Sequence, residues 1–119
     1  MRDFRELKVW EKAHRLTLAT YRATNSFPGE ERYGLIGQLR RAAVSMTSNI
    51  AEGCGRRGDR EFARFLYMAM GSASELEYLI LLVRDLGWLN PSAYDDLQAT
   101  TVEVKRMLAA LVQKLTAES

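Results

Sequence analysis

The chain has 119 residues, 47% apolar and 27% charged, with a formal net charge of +2, two prolines and one cysteine. This length suits one domain with a core of its own, and the apolar share argues against a disordered chain. The single thiol excludes an internal disulfide framework, no apolar leader opens the sequence, and no run approaches the ~18 apolar residues of a membrane span, so a cytoplasmic protein without a membrane partner is expected.

The first expected element is a helix over about residues 3–25. Asp3 followed by Glu6 has the form of a capping box. Leu7, Trp10, His14, Thr17, Tyr21 and Thr24 step by three and four, which marks one helical face. Val9, Ala13, Leu16 and Ala23 form a second apolar face, interrupted by Thr20. Phe27-Pro28-Gly29 separates this helix from the next, over about residues 30–52. Its expected core face is Ile36, Leu39, Ala43, Met46 and Ile50, and Gly53-Cys54-Gly55 reads as its stop. The third helix is expected over about residues 59–86 with Asp59 as N-cap and Phe62, Phe65, Leu66, Ala69, Ala73, Leu76, Ile80 and Val83 as core stripe. Gly87 closes it. Asn90-Pro91 opens a fourth helix over about 91–117, with a seam of Tyr94, Leu97, Thr101, Val104, Leu108, Leu111 and Leu115. Short connections between long helices make neighbours antiparallel, so the expected fold is all-α: one domain over 1–119, an antiparallel up-down-up-down four-helix bundle.

Two features of the third helix point to self-association. Residues 65–70 and 78–83 are each unbroken apolar runs of six. At ~3.6 residues per turn such a run covers the whole circumference, more than one bundle buries. Tyr67, Met68, Met70, Tyr78, Leu81 and Leu82 are therefore candidate contacts between copies. Where the second and third helices meet, Arg41, Ser45, Asn49, Glu52 and Glu75 are a candidate polar network, with Arg40 or Arg41 in reach of Glu75, and the small Gly71, Ser72 and Ala73 allow close backbones.

Charge is segregated. Residues 32–64 hold seven basic side chains, including Arg32, against three acidic ones, whereas the chain from Phe65 onward is acidic. Arg40, Arg41, Arg56, Arg57, Arg60 and Arg64 are the candidate nucleic-acid-binding residues, meeting phosphates with little sequence preference. Gly53-Cys54-Gly55-Arg56-Arg57-Gly58 matches G-x-G-x-x-G, but a helix precedes it where the dinucleotide fingerprint needs a strand. Asp59 competes with any anion at that turn. Glu11 and His14 have a di-iron bundle spacing, yet a protomer with one histidine cannot complete such a site, so no metal or cofactor is expected. Cys54 has Arg56 and Arg57 nearby to lower its pKa but no histidine or second thiol, and Ser45, Ser48 and Ser72 lack a base partner, so no enzyme is expected.

Several segments carry a family resemblance: Phe4-Arg5-Glu6-Leu7-Lys8-Val9-Trp10, Phe27-Pro28, residues 38–45, Asn49-Ile50-Ala51-Glu52-Gly53, Glu61-Phe62, Phe65-Leu66, Ala69, Gly71-Ser72 and Glu75-Leu76. The chain resembles the bacterial four-helix bundle family of intervening-sequence proteins encoded within large-subunit ribosomal RNA genes and, more remotely, the accessory protein of diversity-generating retroelements. Thr47 stands where that family usually has proline, and Cys54 where an aromatic is common. The resemblance implies a ring-like homopentamer without established catalysis, with RNA, DNA or a reverse transcriptase as partner. Two functions remain open: an oligomeric RNA-binding module, and a scaffold or accessory subunit for a partner protein.

Overall fold

The structure, a computed structural model, describes residues 2–117 of the 119. Residues 1, 118 and 119 of the expected domain lie outside the described residues, as does the side chain of Arg32. Four long helices carry the chain: α1 (Lys8–Thr24), α2 (Gly37–Cys54), α3 (Gly58–Asp85) and α4 (Pro91–Thr116).

The expected first helix is broken near its start. Asp3 caps only a 3-10 turn, Phe4–Glu6, by accepting the Arg5 N–H at 3.0 Å. Leu7 is extended (φ −82°, ψ 124°) and α1 begins after it without a side-chain cap. The core face also differs from the expected one. Val9, Ala13, Leu16, Thr20 and Thr24 are buried, while His14 and Tyr21 are exposed and Trp10 half-buried. Thr20 belongs in the core because its hydroxyl donates to the Leu16 carbonyl at 2.8 Å, so its polar atom is satisfied within the helix and its methyl faces the neighbours.

The second expected helix begins as a 3-10 turn and a five-residue π-helical turn, with a kink at Gly34; regular helix starts only at Gly37. Its apolar face is buried as expected. Thr47 lies within the unbroken helix α2, with its hydroxyl 2.8 Å from that of Thr17 on α1. The helix runs through Gly53 to Cys54, and the reversal falls at Gly58 (φ +78°), a backbone region that glycine enters freely. Asp59 lies inside the first turn of α3, and Arg57 is the flanking residue. At the far end Gly87 (φ +82°) closes α3: Gly87 N–H donates to the Arg84 carbonyl and Trp88 N–H to the Val83 carbonyl, both at 2.9 Å. Asn90 caps α4 by accepting the Ala93 N–H at 2.8 Å.

The bundle is closed: each helix packs on its sequence neighbours, and α1 packs on α4. Contacts across each seam run in opposite directions. Arg2 N–H donates to the Cys54 carbonyl while Arg40 reaches Thr24; Ser45 meets Ser72 while Gly53 meets Phe62; Arg84 lies over Tyr94 while Lys105 binds Glu77. The body measures 46 × 23 × 20 Å, close to the ~42 Å expected for a 28-residue helix.

One core runs its length and takes in the expected stripe of α3 from Phe62 to Val83 except Phe65, which is buried outside that cluster beneath Arg56 and Arg64. No apolar run of membrane length is expected from the sequence, yet α3 is long and apolar enough by length and composition to cross a membrane, as the core helix of a bundle also is. Ten α3 residues are instead buried within the bundle. α2 packs tightly on α3 at Gly53, where a Cβ would stand 2.9 Å from both Phe62 Cδ1 and Phe65 Cβ. Gly71, expected to serve that purpose, faces open space.

Candidate nucleic-acid interface

The α2–α3 turn gathers four of the six candidate arginines. Arg56 and Arg57 lie in the turn, and Arg60 and Arg64 are one helical turn apart on α3. All four are exposed, but they are not equally available. The Arg56 guanidinium lies 4.8 Å and that of Arg64 4.7 Å from the Phe65 ring centroid. Phe65 is only 4% exposed, so these stems and planar groups help to cover it. Arg64 also pairs with Glu61 through two bonds of 3.0 and 3.1 Å. Those bonds hold the Glu61 carboxyl below the usual carboxylate range and raise Arg64. Arg57 and Arg60 make no hydrogen bond or ion pair among the described residues.

A residue absent from the sequence reading completes the corner. Arg2 donates its backbone N–H to the Cys54 carbonyl at 2.9 Å, pairs with Asp59 at 2.7 Å and lies 4.5 Å over the Phe62 ring. The acid expected to oppose an anion at this turn is thus matched by a cation 57 positions away. Both acids of the first α3 turn, Asp59 and Glu61, are paired. The balance of charge without an ion pair at the corner is therefore positive, with Arg56, Arg57 and Arg60 against the exposed Glu52 in the last turn of α2.

The other two candidates are elsewhere. Arg40 is a structural tie: its guanidinium donates to Thr24 Oγ1 (2.9 Å), Asn25 Oδ1 (3.1 Å) and the Tyr21 carbonyl (3.3 Å), and lies over the Tyr21 ring. Those bonds fasten the end of α1 to α2 and withdraw Arg40 from any phosphate. Arg41 is exposed, one residue from Arg40 and toward the opposite end of α2 from the Arg56 turn.

The expected five-residue polar network reduces to its small members. Ser45 and Ser72 hydroxyls meet at 2.9 Å, and Asn49 Nδ2 donates to the Ser45 carbonyl (2.9 Å) and hydroxyl (3.3 Å). Arg41, Glu52 and Glu75 stay exposed without hydrogen bond or ion pair among the described residues. Solvation of an exposed charge outweighs the ~0–1 kcal/mol that a surface pair returns.

Of the candidate self-contacts, Tyr67 and Tyr78 are 58% exposed and Met68 45%. Leu81 and Leu82 are half-buried, and Met70 packs partly on the core. Glu11 pairs with Arg15, and His14 is exposed and stacked on Trp10 at 4.9 Å. Among the described residues no three His, Cys, Asp or Glu side chains converge as metal ligands.

Cys54 is 0% exposed. Burial pushes its thiol up; Arg2, rather than the expected Arg56 and Arg57, partly offsets this, and Asp3 adds to it. A thiol held above its unfolded value contributes stability below the ordinary thiol range and loses it as pH climbs through the folded value. At neutral pH the native chain is expected to resist a maleimide dye and to label fully in denaturant; rapid native labelling would show that the corner opens.

The model of the family described as "23S rRNA-intervening sequence protein" matches residues 5–110. A 1.70 Å crystal structure of a protein with unknown function from the S23 ribosomal protein family, from Bacteroides thetaiotaomicron VPI-5482, superposes with a TM-score of 0.79 at 18% identity. It covers 88% of this chain and 98% of its own, and its similarity speaks to the fold. No curated protein matches the chain.

Proposed function

The chain belongs to the 23S rRNA-intervening sequence protein family, and on that premise we propose that it is a non-enzymatic, cytoplasmic, self-assembling bundle that binds RNA through the α2–α3 corner. The observation that carries this reading is the state of the corner's charges. Asp59 and Glu61 are each matched by an arginine, which leaves Arg57 and Arg60 without a hydrogen bond or ion pair among the described residues beside an exposed Arg56. Guanidinium groups suit phosphate because their planar donors bind its oxygens in pairs. Their attraction to phosphate is electrostatic and weakly sequence-dependent.

Self-assembly is supported by the same exposed stripe of α3 farther from the corner, since Tyr78 lies eleven positions, or about three turns, beyond Tyr67. Tyr78 is 58% exposed with Leu81 and Leu82 half-buried nearby on the same helix, and Arg41 and Glu75, exposed and without ion pairs among the described residues, supply charges of both signs. The resemblance to ring-forming bundles makes five copies the expected number. Light scattering at micromolar concentration should give several times the mass of one chain; a monomer would remove this part of the reading.

The binding test is an anisotropy titration with labelled single-stranded RNA across a salt series. With three guanidiniums available, the slope of log affinity against log salt should be about −2, and reversing Arg57 and Arg60 to glutamate should abolish binding. No association at low salt would end the proposal.

A further inference from the structure

We propose that the groove between the start of α3 and the end of α4 receives one unpaired nucleotide, its base against Tyr67 and its phosphate on Arg60. This deepens the RNA reading above and rests on it. The groove has a volume of about 710 Å³, with Ala63, Tyr67 and Leu115 as its apolar lining and Arg60 and Arg64 on its polar side. That volume lies within the ~300–1,000 Å³ of small-ligand sites.

Three observations select the occupant. Tyr67 is 58% exposed and makes no hydrogen bond or ring contact among the described residues, so its face is free to stack. Arg60, seven positions earlier on the same helix, is the lining cation that makes no hydrogen bond or ion pair among the described residues, with only a longer-range attraction to Glu61. The two acids on the lining, Asp59 and Glu61, are paired to Arg2 and Arg64 and do not repel a phosphate as free carboxylates would. An aromatic platform beside an uncommitted guanidinium is the chemistry of single-stranded nucleic acid, in which every base offers a π-face. In an A-form duplex those faces are stacked inside. The ligand class is therefore a single-stranded or looped RNA segment. A second copy of the chain is the poorer occupant, since charged residues are depleted from the cores of protein interfaces and here make up half of the lining.

The experiment uses the full chain, a single-stranded oligoribonucleotide carrying a fluorescent adenine analogue, and a duplex of the same sequence. Tyr67→Ala, Tyr67→Phe and Arg60→Ala are compared with the unmodified chain by anisotropy, analogue quenching, circular dichroism and light scattering. Tyr67→Ala should weaken the single strand about tenfold and remove the quenching, leaving duplex affinity and helicity unchanged. Tyr67→Phe, which keeps the ring, should behave as the unmodified chain, and Arg60→Ala should weaken both ligands. Unchanged affinity and quenching in Tyr67→Ala, with Arg60→Ala still impaired, would overturn the stacking site and leave the RNA reading standing. A fall in mass for Tyr67→Ala would assign the ring to contacts between copies and overturn it equally. Failure of the unmodified chain to bind either RNA would remove both readings.

Discussion

Replacing Phe62 with alanine is expected to lower the unfolding free energy by ~3–5 kcal/mol. The ring is 1% exposed, faces Gly53 across the α2–α3 seam and carries the Arg2 guanidinium at 4.5 Å. Its removal leaves a void at a corner whose backbones are already in close contact, so little collapse can refill it. It also strips Arg2 of one of its three attachments. Against a total stability of ~5–15 kcal/mol for a domain of this size, the loss is a large fraction. Urea unfolding followed by circular dichroism reads it directly; a change below ~1 kcal/mol would mean that the corner relaxes into the vacated space.

Gly53→Val should be the next most damaging change, by ~1–3 kcal/mol or more. On helix propensity alone, alanine at this position would gain ~1 kcal/mol. Sterics reverse the sign. The new Cβ would stand 2.9 Å from Phe62 Cδ1, an edge that can swing, and 2.9 Å from Phe65 Cβ, which cannot move without the α3 backbone. Valine adds two methyl groups to that conflict. The double variant with Phe62→Ala should be less unstable than the two losses summed, because one of the two clashes is gone. Simple additivity in that cycle would show that Phe65 alone sets the spacing of the helices.

These two residues also mark what the sequence could and could not show. Phe62 was legible, since it opens a stripe of α3 that holds the helical period from end to end. Gly53 was read as a stop signal, because the glycines around Cys54 look alike in a string. Only the fold shows that Gly53 faces an aromatic pair and Gly58 makes the turn. On α1 two stripes competed, and the core takes most of the second rather than the aromatic one. Trp10 and Tyr21 are amphipathic and suit an edge, whereas Thr20, counted as an interruption, hides its hydroxyl on its own helix.

At the site, Arg56, Arg57, Arg60 and Arg64 were visible because they are close in sequence and a tight turn keeps them together. The departure of Arg40 and the arrival of Arg2 were not, because both depend on contacts across the tertiary structure. No local pattern announces that a cation near residue 1 will neutralise Asp59.

The proportions of the body have a bearing on avidity. At 46 Å long and 20–23 Å across, with Arg56, Arg57 and Arg60 toward one end, the molecule would meet the proposed polynucleotide end-on. On that proposal the footprint of one copy is a few nucleotides, and its individual hold would be shallow. Joining several tips on one strand multiplies the hold by ~10²–10⁴ without a new contact, provided that the strand can reach from tip to tip.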